Sequence, residues 1–252
     1  MVDLICIPRI NALGLKGPES SCEDLLDSDI YETVDIKNED IHEDEQTIFD
    51  YSKDALLKKC LFIGGDHSIT YPIGKAFLEK EGRADSFLIV FDAHADCMES
   101  MKEPTHEEII RGLVEVGWRS ENIIMIGVRK IETQEMKFLK ENDIMYFSAE
   151  ENEKGILKEI ELRANEKSVY LSIDIDVFDP SIAPGVNCPE KDGIDEEYFL
   201  RLLRGIYKKT NIKAYDLVEI VRKKDVESKT VELGQRIIKN IVDLEKDSIE
   251  IN

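Results

Sequence analysis

Apolar residues in this chain fall into short runs, separated by stretches in which they recur every three or four positions. The runs occupy residues 3–8, 30–36, 60–63, 86–91, 122–126, 144–147, 168–173 and 214–219. Two of them, FLIVF and VYLSI, contain no charge, as expected of strands covered by helices on both faces. Between the runs, residues 47–59 place Ile48, Tyr51, Ala55 and Leu56 on one helical face. Residues 195–209 do the same with Phe199, Leu202, Leu203 and Ile206, and Asp195 stands where an N-cap is wanted. A last helix over 228–244 turns Val231, Ile237, Ile238 and Ile241 inward. The alternation predicts a three-layer α/β/α fold, doubly wound, with a mainly parallel sheet of about eight strands. The acid-rich stretch 39–46 reads as a surface loop leading into a helix. Neither a repeat nor a linker divides the chain, so residues 1–252 are expected to form one domain.

Charge and cysteine content narrow the partners. The net charge of −21 repels phosphate and argues against nucleic acid. It suits a cationic small substrate, and equally a protein acidic for solubility alone. No apolar run approaches the ~20 residues of a membrane span. The opening MVDLICIPRI lacks a basic segment before a long apolar one, so it reads as a strand and not a leader. Five cysteines (Cys6, Cys22, Cys60, Cys97, Cys188) are scattered, odd in number and without a CxxC. The expectation is no disulfide staples and a reducing cytoplasm.

Three segments carry the chemistry. Gly64-Gly65-Asp66-His67-Ser68, Asp92-Ala93-His94-Ala95-Asp96 and Asp174-Ile175-Asp176 each follow an apolar run, at the strand ends where open α/β sheets bind ligands. In extended backbone, alternate residues share a side, so Asp92, His94 and Asp96 converge, as do Asp174 and Asp176. With His67, that makes four carboxylates and two imidazoles on one rim. So many carboxylates cannot all stay ionised at close quarters without cations, and two divalent ions would balance four of them. An oxygen-rich set with some imidazole suits Mn²⁺ or a similar ion. Each segment alone has a plain structural explanation, as a glycine turn, an exposed loop or an Asx-Pro turn. Their co-occurrence, with two of the chain's four histidines among them, does not.

GGDHS, DAHAD and SIDIDVFDPSIAPG, in this order and separation, resemble the ureohydrolase family, which includes arginases, agmatinases and formimidoylglutamases. HEEIIRGLVEVGWRSENIIMIGVR, PGVNCPEKDGI and YDLVEI extend the likeness from about residue 61 onward; the first sixty residues match loosely. The resemblance implies an arginase-like fold and two Mn²⁺ per chain. His67 and Asp96 would serve one ion, His94 and Asp176 the other, and Asp92 and Asp174 both. It also implies hydrolysis of a guanidino C–N bond, with Asp96 and His106 handling protons and Glu219 pairing with the guanidinium. Asp66 and Asp179 would support the shell. Urea and an amine would be the products, and the protein would be a homo-oligomer, trimer or hexamer, with a small guanidino or formimino substrate and neither nucleic acid nor membrane as partner.

Three departures touch the substrate side. Glu107 stands where the family has glycine after the catalytic histidine, Cys188 matches a threonine, and Val221-Arg222 replaces Asn-Pro after the glutamate. The segment between Asp96 and His106 lacks the asparagine-bearing clamp that holds the amino-acid end of arginine. It places Glu99 and Glu103 there instead, with Glu132 and Glu135 as a further acidic lip. Agmatine is the expected substrate. A substrate ending in an acid would instead call on Lys102, Arg111 or Arg129. A metal-binding but catalytically silent member acting as an interaction subunit is the alternative from another class.

Overall fold

The computed structural model describes residues 2–11, 13–26 and 30–250. Eight strands form one wholly parallel sheet: β1 (Asp3–Cys6), β2 (Glu32–Thr33), β3 (Cys60–Ile63), β4 (Ser86–Phe91), β5 (Ile123–Ile126), β6 (Met145–Phe147), β7 (Ser168–Asp174) and β8 (Asn211–Val218). Their spatial order is β2-β1-β3-β8-β7-β4-β5-β6. Every residue of β3, β4, β5 and β7 is buried, which is why these strands read as unbroken apolar runs. The second run shrinks to two exposed residues, because β2 is an edge strand with β1 as its single neighbour.

The strands' two-residue period sorts their side chains into two cores. Leu61, Ile63, Phe87, Ile89, Phe91, Leu171 and Ile173 face one layer of helices: α1 (Ser21–Leu25), α6 (Glu153–Arg163), α7 (Glu196–Lys209) and α8 (Lys229–Glu250). Phe62, Leu88, Val90, Tyr170 and Ala214 face the other: α2 (Ile41–Ala55), α3 (Thr70–Glu81), α4 (Ile109–Val116) and α5 (Thr133–Glu141). The result is the expected three-layer α/β/α architecture. Asp195 caps α7 by accepting from the Tyr198 N–H, as read from the sequence. Helix α2 starts earlier than its apolar spacing suggests, because Asp40 accepts from the His42 and Glu43 N–H groups and nucleates the turn there. The acid-rich stretch is therefore largely helical, and Asp44 and Glu45 are buried.

The cysteines hold a correction. Cys6 and Cys22 form a disulfide, while Cys60, Cys97 and Cys188 are free. The pair joins the end of β1 to α1, a proximity created by the fold and invisible in two cysteines sixteen residues apart. Among the described residues no helix is long and apolar enough to cross a membrane.

Candidate metal centre

The four central strands, β3, β8, β7 and β4, are neighbours, and their carboxyl ends deliver the chemistry-bearing residues to one place. After β3 the chain turns through Gly65, whose φ of +72° and close packing exclude a side chain: a Cβ would lie 2.7 Å from the carbonyl oxygens of Ile7 and Arg9. Asp66 then caps a short 3₁₀ turn by accepting from the Ser68 N–H at 3.0 Å, which aims His67 into the rim. The His67 ring is oriented from behind. Its Nε2 lies 3.0 Å from Ser172 Oγ, and that hydroxyl donates to Asp216 Oδ1 at 2.7 Å. Nε2–H is thus the donor and Nδ1 is left facing the rim.

Three carboxylates crowd that nitrogen. Asp96 lies 2.9 Å from His67 Nδ1, Asp92 3.1 Å and Asp174 3.4 Å. Beside them, His94 Nδ1 is 2.9 Å from Asp176 and 3.5 Å from Asp92. The structure therefore brings all six residues together, though not by simple extended alternation. Asp96 adopts φ +44°, and Asp176 enters a 3₁₀ turn whose first N–H groups include its own, donated to Asp174 at 2.8 Å. Glu219 is also left-handed, at φ +67°. Such conformations cost about 1–3 kcal/mol each and persist where the surroundings impose them.

The electrostatics describe a nest wanting positive charge. Burial, then Asp176 and Asp92, holds the Asp174 carboxyl well above the usual range. Burial and Asp92 push Asp96 up to about 8. Burial disfavours the His94 imidazolium, but Asp176 and Asp92 outweigh it and push the ring up to about 12. Asp92 Oδ2 is buried without a hydrogen-bond partner. Two sets of potential ligands overlap there: His67, Asp92 and Asp174, and Asp92, His94 and Asp176. The orphaned oxygen and the oxygen-plus-imidazole donor set both fit divalent cations. Asp92 is common to the two sets, whereas Asp174 groups with the first.

His106 is not a surface residue: it is 8% exposed. Its Nδ1 lies 3.1 Å from Glu219 Oε1, which also accepts from the His67 N–H at 3.0 Å. Burial opposes the imidazolium, yet Glu219 overcomes it and pushes His106 up to about 9, above the value near 6.5 that a relay residue suggests. The opposite nitrogen, Nε2, is buried and unpartnered. Glu219 keeps only Oε2 clear of these bonds, so a two-oxygen grip on a guanidinium would have to break one of them.

A cavity of about 260 Å³ opens over the rim. Beyond His94, Asp96, His106, Asp174, Asp176 and Glu219, it is lined by Met98, Glu107, Lys130, Glu132, Glu135, Asn187, Cys188 and Glu190. The three departures thus divide: Glu107 and Cys188 line the cavity, and Val221-Arg222 does not. The acidic lip is real but differently composed. Glu135 is engaged by the Cys97 and Glu132 N–H groups, and Glu132 pairs with Lys130 at 2.9 Å. Glu99 and Glu103 do not line it; Glu103 faces His42 and Lys102 instead. Of the anticipated cations none is present. The Arg129 guanidinium donates to six carbonyls, those of Gly127, Asp176, Val177, Phe178, Glu190 and Lys191. Arg111 donates to the Cys97 carbonyl and stacks on Phe138. Glu190 and Lys130 escaped sequence reading because irregular loops carry them. Asp66 supports the His67 turn, and Asp179 accepts from the Ser181, Asp192 and Gly193 N–H groups to shape its own.

A parallel three-layer sheet whose central strand ends build a carboxylate–imidazole nest defines a class of α/β protein suited to paired divalent cations. A family model, the arginase family, matches residues 11–243, and the chain belongs to that family. It is 32% identical over 196 residues to the agmatinase of Bacillus subtilis (strain 168), covering 75% of this chain and 66% of that one. The matched region spans about half to two thirds of the length of the curated relatives. Among solved structures, the formimidoylglutamase of Bacillus subtilis superposes with TM-score 0.86 at 21% identity, covering 97% of this chain and 86% of that one. An arginase from Bacillus subtilis gives 0.84 at 21%, covering 95% and 97%. The fold is shared with proteins named for two different substrates.

Proposed function

We propose that this chain hydrolyses a guanidine with a second cationic end, agmatine before arginine, to urea and an amine. In this reading His67, Asp92, His94, Asp96, Asp174 and Asp176 hold two Mn²⁺. One observation carries the substrate preference. Outside the nest, the cavity wall presents Glu107, Glu132, Glu135 and Glu190 against one cation, Lys130, already paired with Glu132. A carboxylate-ended substrate would enter without an unspent positive partner, at a cost above the ~1–3 kcal/mol of a neutral unsatisfied group. The curated relatives named agmatinase support the same preference.

When bound, the cations supply Lewis-acid activation of water near neutral pH. The chain's own residues supply the rest. Glu219 Oε2 accepts from a guanidinium N–H while Oε1 keeps His106 in place. Asp96 takes up the proton released by the attacking water. His106, protonated at neutral pH and lining the cavity, gives a proton to the departing nitrogen; Asp96 then releases the proton it took up and solvent reprotonates His106, which closes the cycle.

The test is kcat/KM of Mn²⁺-loaded protein for agmatine, arginine, 4-guanidinobutyrate and formimidoylglutamate, scored for urea, formamide and ammonia. Agmatine should lead by tenfold or more. An acid-ended compound in the lead overturns the preference and makes Lys130 the residue to substitute. No turnover with any of them supports the silent interaction subunit.

A further inference from the structure

The loop that carries His106 is held from two sides, and one of them is the segment that follows β1. On its own side, the Thr105 N–H donates to Glu108 Oε2 at 2.6 Å and the Glu107 N–H to Thr105 Oγ1 at 3.3 Å. From across the site, Asn11 Nδ2 donates to the Pro104 carbonyl at 3.0 Å, in a buried contact. Asn11 is itself fixed. Its main-chain N–H donates to Asp66 Oδ2, the Asp66 N–H donates to the Arg9 carbonyl at 3.1 Å, and Arg9 Nη1 donates to the Ser68 carbonyl at 3.3 Å. Residues 9–11 and 66–68 are therefore one stitched unit, and that unit carries His67.

We propose that Asn11 is a positioning residue for His106: its side-chain amide ties the loop ending in His106 to the turn that presents His67. The inference rests on the reading of His106 as the proton donor. Pro104 lies two residues before His106 in an irregular loop, and its carbonyl cannot be held by helix or sheet. Displacing a proton donor by about 1 Å costs on the order of a hundredfold in rate. Asn11 does not line the cavity, so it acts on rate through His106 and not by touching substrate.

The main-chain bond to Asp66 survives substitution, so Asn11→Ala removes only the tie to Pro104. Asn11→Asp, of the same shape but without the donor, covers the case in which Asn11→Ala fails to fold. The expected result is a roughly tenfold to hundredfold lower kcat, with KM within about twofold and metal content unchanged. Asn11→Ala combined with His106→Asn should be no slower than His106→Asn alone, since the two act through one group. Hydrogen–deuterium exchange should rise across residues 98–108 and stay unchanged across 60–75. Losses that multiply in the double variant, or exchange unchanged over 98–108, overturn the proposal. If the unsubstituted protein turns over no guanidine, the exchange contrast alone decides, which separates this inference from the functional reading.

Discussion

Asp216 and Asp174 sit on neighbouring strands, both almost wholly buried, in opposite circumstances. Asp216 accepts from Thr70 Oγ1, the Tyr170 hydroxyl, Ser172 Oγ and the Ile173 N–H, so each of its oxygens meets donors. Asp174 accepts from the Asp176 N–H and lies 3.4 Å from His67 Nδ1, but burial, then Asp176 and Asp92, drives its carboxyl toward the protonated form. The first cluster is complete in protein atoms. The second is complete only with positive charge added from outside. A buried acid is therefore a functional candidate when its neighbours are other acids, and a structural one when its neighbours are donors.

Breaking the incomplete cluster should have the largest effect. Asp174→Asn is expected to lower metal content and abolish urea release, read by elemental analysis beside the activity assay. Two ions per chain retained in that variant would remove Asp174 from the ligand set. Next comes His106→Asn, expected to keep its cations and lose ~10²–10⁴-fold in kcat. Because His106 is pushed up to about 9, unsubstituted activity should fall as pH rises through 9, when the proton donor is emptied. The variant should lack that limb.

The complete cluster should respond in stability instead. Asp216→Ala strands the buried Tyr170, Thr70 and Ser172 hydroxyls, at ~1–3 kcal/mol for each that finds no new partner. The midpoint of thermal unfolding should drop while metal stoichiometry holds. Fewer ions per chain would mean that the Ser172 link makes the two clusters one unit. A fourth effect is that of pH on metal uptake. Asp96 at about 8 and His94 at about 12 hold protons that a cation must displace. Apparent affinity should rise with pH, by about tenfold per unit for each proton released. Isothermal titrations at pH 6.5 and 8 would expose a flat response.

How much of this was legible in the sequence follows the range of the interactions. The central strands β3 and β4 were readable to the residue, because burial on both faces leaves an uninterrupted apolar run. The six rim residues were readable because each lies within five positions of a strand end. The geometry between them was not, since the left-handed backbone at Asp96 breaks the extended alternation that the spacing suggests. Arg129 looked like a cation for a substrate and proves to be spent on six carbonyls, which carry no mark in a sequence. Asn11 and Asp216 were passed over for the same reason: their partners are Pro104, Tyr170 and Thr70, all far away along the chain.

The strand order has a consequence for biogenesis. β8, the last of these eight strands to leave the ribosome, inserts between β3 and β7, pairing Leu61 with Tyr215 and Leu171 with the same residue. Until it emerges, β3 and β7 lack their shared neighbour, Asp216 is missing behind His67, and Glu219 is missing beside His106. Pairings this distant in sequence form slowly, and the unpaired edges of β3 and β7 stay open to other chains meanwhile. A nascent chain stalled before residue 211 would hold all six rim residues and yet no assembled rim, so the capacity to take up metal should arrive late in synthesis and all at once.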